Sequence, residues 1–153
     1  MKRPFLGAWA LTALLLCGCA GPSPSALYDD YTRIAASSNT YRLSDARQMA
    51  QGASYQGSMR FEGTGTLWQY EAPQEQTVTC TFSLSVEKGR AKLVWIEPDG
   101  QVGILAENNA TPTQTIAIPV SAGVHRIKLV GADQAEVTVQ LALSEGMCSE
   151  IGF

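Results

Sequence analysis

Histidine is nearly absent from this chain, with one, His125, in 153 residues. A Ser-His-Asp or Cys-His nucleophile would have to use it, and a structural zinc site wants four ligands that one histidine and the domain's cysteines do not supply. Basic side chains are few as well: Lys and Arg total 11 against 14 acids. No run gathers them into the stripe that nucleic-acid binding needs, so that class is excluded. No apolar run reaches the roughly 20 residues that span a bilayer as a helix. No serine sits in Gly-x-Ser-x-Gly. No glycine-rich loop cradles phosphate, because Gly63-Thr64-Gly65 precedes a strand pattern in which glycines make a bend. No cofactor is implied.

What is present begins at the N-terminus. Met1-Lys2-Arg3-Pro4 is basic, residues 5–16 carry no charge, and the next residues are Leu16-Cys17-Gly18-Cys19-Ala20-Gly21. A basic start, a short apolar core and small residues after it make a secretory signal, which is set aside in reasoning about the fold. Leu16-Cys17-Gly18-Cys19 resembles the lipobox of bacterial lipoproteins. That resemblance implies cleavage between Gly18 and Cys19, a diacylglycerol on the Cys19 thiol and an extracytoplasmic domain tethered to the cell membrane, or to the outer membrane where the source has two. Cys17 as the acceptor would put Leu16 where a small residue is wanted. Two or three acyl chains on one residue suffice for stable anchoring, whereas one gives only marginal binding.

Export bears on the other cysteines. Cys17 leaves with the signal and Cys19 takes the lipid, so the folded part keeps Cys80 and Cys148. An even pair in an exported protein suggests a disulfide, and closing so long a loop contributes roughly 4 kcal/mol in the chain-entropy picture. The alternative is a buried Cys80 that packs as a small hydrophobe, with Cys148 free on the tail. The formal charge of −3 becomes more negative once Lys2 and Arg3 are removed.

Gly21-Pro22-Ser23-Pro24-Ser25 is a stiff spacer of the kind that lifts a domain off a membrane. Ser25 can cap a helix over residues 26–37, with Asp29 and Asp30 in its first turn and Leu27, Tyr31 and Ile34 as its apolar stripe. A second short helix is expected over residues 44–51, with Leu43, Ala46, Met49 and Ala50 on one side and Gly52 as the stop. From Met59 the period changes to two. In Thr77-Val78-Thr79-Cys80-Thr81-Phe82-Ser83-Leu84-Ser85-Val86 every even position is apolar and every odd one is Ser or Thr, which describes a strand with one buried and one wet face. Glu87-Lys88-Gly89-Arg90 reads as a turn into residues 91–96. Pro98-Asp99-Gly100 reads as a second turn, and Gly131-Ala132-Asp133-Gln134 as another. Residues 59–62, 66–72, 101–106, 115–120, 124–130 and the run carrying Val137, Val139, Leu141 and Leu143 complete about eight short strands, a spacing that argues for a sandwich or barrel.

The expected fold is therefore mainly β, an antiparallel, jelly-roll-like β-sandwich preceded by one or two short helices. Residues 1–18 are the signal peptide, 19–25 the lipidated N-terminus and spacer, 26–55 a helical segment and 56–153 the sandwich. His125 shares a strand face with Ile127 and Leu129 and reads as structural. Glu62, Glu71, Glu97, Asp99 and Glu136 are scattered, and nothing selects a pair for glycoside hydrolysis. Asp29-Asp30 lacks the ligand set of a calcium loop. Trp68, Tyr70 and Trp95 read as core, which leaves Tyr41 and Tyr55, placed in loops around the second helix, as candidates to stack on a sugar. The functional expectation is a membrane-tethered module, not an enzyme, that binds an envelope protein or glycan and no nucleic acid. The alternatives are an enzyme acting on envelope polymers and a structural subunit of an envelope complex.

Overall fold

The computed structural model describes residues 23–108 and 110–153. The signal peptide and the Leu16-Cys17-Gly18-Cys19 motif lie outside those residues. The described part is mainly β, as expected, and all its strand pairs are antiparallel. A 3-10 turn, Pro24–Leu27, and a helix α1, Tyr31–Ala35, precede seven strands: β1 (Tyr41–Gln51), β2 (Ser54–Ala72), β3 (Gln76–Ile96), β4 (Val102–Glu107), β5 (Ala110–Val120), β6 (Gly123–Leu143) and β7 (Met147–Cys148).

The strands β2, β3 and β6 run for 19, 21 and 21 residues. Two of the expected turns are not turns. Glu87-Lys88-Gly89-Arg90 and Gly131-Ala132-Asp133-Gln134 are bends at which a strand changes layer without reversing. The pairing register breaks there, between Val86 and Arg90 on β3 and between Phe61 and Gly63 on β2. Gly63, Gly89, Asp133 and Gln134 take positive φ at these corners. Bulges that turn a strand through a corner are how a folded-over sheet is made. A bend and a turn draw on the same residues, so eight short strands are in fact seven, three of them long.

The early half of β2, the early half of β3 and the late half of β6 form a front sheet in the order β1–β2–β6–β3–β5. The remaining halves form a back sheet in the order β7–β2–β6–β3–β4. The inner faces of both contribute to one core, with Phe61, Phe82, Leu84 and Val139 from the front and Trp68, Leu93, Trp95 and Leu129 from the back. The alternation read at Val78, Cys80, Phe82 and Leu84 holds, and all four are buried.

The back sheet is also covered on its outer face. The segment from Pro24 to about Asn39 straps across it, and Tyr28 and Ile34 close a second cluster with Val94, Ile96, Val130 and Ala132. That explains why residues 91–96 and 127–132 are buried without alternation, the signature of a sheet covered on both sides.

The helical expectation for residues 26–55 is corrected. Only five residues of the strap are α-helical, capped by Asp30, whose carboxylate accepts from Arg33 N at 3.1 Å. Residues 44–51 are strand, pairing with β2 through a bulge between Ser44 and Arg47. Their Ala, Arg, Gln and Met are good helix formers, but intrinsic propensity is small beside tertiary context, and pairing with the long partner strand overrides it. Tyr41 and Tyr55 therefore sit on β1 and β2, not in loops.

Candidate functional site

Among the described residues, one of the four sheet faces stays uncovered. The inner faces bury each other and the strap covers the outer back face, which leaves the outer front face to solvent. Its floor is set by the register of β2 against β6. Gln56 pairs with Gln140, Ser58 with Thr138, and Arg60 with Glu136. All six side chains alternate outward from a buried set that includes Tyr55, Met59, Val137, Val139 and Leu141. The floor is thus a ladder of three cross-strand rungs: amide on amide, hydroxyl on hydroxyl, cation on anion.

Shallow depressions follow this ladder. One of about 370 Å³ is lined by Gln56, Ser58, Thr138 and Gln140, with Arg47 and Met49 of β1 as its wall. A second shares Ser58 and Thr138 and continues to Arg60, Glu136 and Asp45. A third shares Gln56 and Gln140 and continues to Thr81 and Thr113. Their shared linings make one trough along β2 and β6, walled by β1 on one side and by β3 and β5 on the other.

The two ends of the trough differ electrostatically. Arg60 Nη2 donates to Glu136 Oε1 at 3.0 Å, Lys88 Nζ donates to the same oxygen at 3.2 Å, and Arg60 also lies 3.8 Å from Asp45. Those two hydrogen bonds hold the Glu136 carboxyl below the usual carboxylate range. The charged end is therefore internally neutralised. From Gln140 onward the lining carries no charge, Arg47 standing on the β1 wall of the middle stretch, and Thr81 and Thr115 bond each other at 2.9 Å on the neighbouring strands.

The structure separates the other candidates. Tyr55 is buried, and its hydroxyl donates to Gln48 Oε1 at 2.8 Å. Burial raises its phenol well above the ordinary value, and it offers no face to a sugar. Gln48 also accepts from Ile151 N and donates to Ile151 O, which pins the C-terminal tail. Tyr41 is 38% exposed at a corner of the sandwich, where it packs against Phe61 with ring centroids 6.2 Å apart. It is not part of the trough. Nothing in the sequence singles out the Gln, Ser and Thr rungs, because the β2–β6 register is what brings them together.

His125 is buried and fully engaged. Trp95 Nε1 donates to its Nδ1 at 3.3 Å, and its Nε2 faces Ser121 O at 2.9 Å. An indole nitrogen can only donate, so Nδ1 accepts and Nε2 carries the proton. The imidazole has no nitrogen left for a substrate. Trp68 and Trp95 are core residues, as read from the sequence, and pack with ring centroids 4.9 Å apart and planes tilted by 42°.

Cys80 and Cys148 are free thiols here, both buried in the same core, so the expected bridge is not formed in this structure. Burial pushes each thiol up to about 12, and at Cys80 the neighbouring Cys148 adds to it. Among the described residues no group of three or more His, Cys, Asp or Glu gathers to hold a metal, and no helix is long and apolar enough to cross a membrane.

No protein-family model matches the chain, and no curated protein matches it in sequence. Among solved structures it is similar to that of a carbohydrate-binding module in complex with β-1,4-galactotriose, at a TM-score of 0.38 and 12% identity, covering 74% of this chain and 91% of that one.

Proposed function

We propose that this chain is a lipoprotein, anchored outside the cytoplasm through lipid on Cys19, whose sandwich holds a neutral glycan of the cell envelope on its open front face without catalysis. The observation that carries the reading is the asymmetry between the two outer faces. One is sealed by the strap, and the other is left bare over a ladder of amides and hydroxyls. Such groups at fixed spacing match a ligand covered in hydroxyls, because each can donate and accept. A protein partner draws its affinity from large anchors desolvated at the centre of the interface. The trough offers only Met49, at its rim. The engagement of both His125 nitrogens supports binding without chemistry.

The test is retention of the mature chain on immobilised envelope polysaccharide, with Gln140→Ala beside it. Retention that drops in the variant supports the reading. Recovery of a defined protein from the envelope, with no retention on polysaccharide, replaces it with an adaptor role. The anchor is tested separately: incorporation of a labelled fatty acid into the protein should disappear with Cys19→Ala, and persistence of the label overturns it.

A further inference from the structure

Resting on that reading, we infer that the trough takes a linear, unbranched, uncharged glycan laid lengthwise along the β2–β6 pair, not a single sugar or a chain end. Three observations carry this. First, the rungs repeat every second residue, and from Glu136 to Ala142 the floor extends about 20 Å at the rise of a strand. That is far longer than one sugar ring. Second, the depressions are linked by shared lining residues, Gln56 and Gln140 between two of them and Ser58 and Thr138 between the next two, and the last continues to Arg60 and Glu136.

Third, the walls decide against branches and charge. Arg47 and Met49 on one side and Thr81 and Thr113 on the other flank the floor, so a substituent projecting sideways meets a strand. The two cations at the far end, Arg60 and Lys88, are held by Glu136. A negatively charged chain would have to displace that carboxylate. A neutral chain would not, and it finds amides and hydroxyls at successive rungs.

The experiment uses the mature chain and neutral oligosaccharides released by partial hydrolysis of the source's own envelope, sorted by length from disaccharide to hexasaccharide. Affinity should climb with length and level off once all three rungs are covered. Gln140→Ala should lower the affinity of the longest chains by about three- to tenfold. Thr138→Val, at the middle rung, should weaken every length that binds. An affinity independent of length overturns the lengthwise placement while the glycan reading stands. Binding of none of these oligosaccharides by a protein whose circular dichroism shows it folded overturns the glycan reading itself. Equal binding of branched and linear fractions of the same size overturns the role of the walls.

Discussion

Lys128 is buried beneath the strap, where its ammonium donates to Ala36 O and Ser38 O. Burial pushes the amine down from 10.5 to about 8, and Arg126 nearby adds to the effect. Because the folded value lies below the unfolded one, the unfolded chain binds more protons between them. Stability should therefore rise with pH from about 8 towards 10.5, and the full cost of charging the buried amine is present at lower pH. The shift as it stands sets a ceiling of about 3 kcal/mol. The strap is only one layer thick above the amine, so solvent screening brings the working figure to about 1–2 kcal/mol.

Lys128→Met keeps most of the side chain's volume and removes the charge. Ala36 and Ser38 are half-buried and exposed, so their carbonyls can turn to water. At neutral pH the variant should be at least as stable as the wild type, and the wild type's gain above about pH 8 should be missing from it. The buried thiols act in the opposite sense. Their raised values make stability fall as pH climbs through the unfolded thiol range, but equally in both proteins, so the difference between the two isolates Lys128. Urea melts of both proteins over this range measure it. Parallel pH dependences, or a variant more than about 2 kcal/mol less stable at neutral pH, would refute the argument, because the bonds to the strap would then outweigh desolvation.

Ile34→Ala removes the strap's deepest side chain over Val94 and Val130 and should cost about 2–4 kcal/mol in a denaturant melt; a loss under about 1 kcal/mol would mean the strap contributes little to holding the sheet. Gly89→Ala puts a Cβ 2.6 Å from Ala132 O at a residue with φ of 69° and should destabilise by about 2 kcal/mol or more, read as a lowered Tm. The thiols of Cys80 and Cys148 should resist a maleimide in the folded protein and both react in denaturant. If neither reacts in denaturant without reductant, the bridge expected of an exported pair does form. Trp95→Phe should leave His125 Nδ1 without its donor and cost about 1–3 kcal/mol; an unchanged melt would show that another donor takes its place.

Much of the architecture is legible in the residues, and the reasons for the misses are physical. Alternation reports burial against one layer, and Val78, Cys80, Phe82 and Leu84 are buried as their spacing predicts. It does not announce a second covering layer, and Lys92 and Lys128 are buried under the strap. Gly89 and the Asp133-Gln134 pair announce a change of direction, but positive φ does not say whether the chain reverses or crosses to another layer. Residues 44–51 look helical because an exposed edge strand places little demand on its side chains. The candidate site was invisible for a related reason: Gln56 and Gln140 are 84 positions apart, and ordinary surface residues until the ladder pairs them. Tyr55 reads from the sequence as an aromatic in a loop, and strand pairing turns it inward.

The three strands that pass from the front sheet to the back have a consequence for how the molecule comes apart. Most sandwiches are two separate fabrics pressed together, and one can in principle loosen while the other persists. Here both layers are woven from the same three threads, and a thread drawn out of one layer is drawn out of the other. The open face thus borrows its rigidity from the sealed one, and the domain yields as a single cloth or not at all.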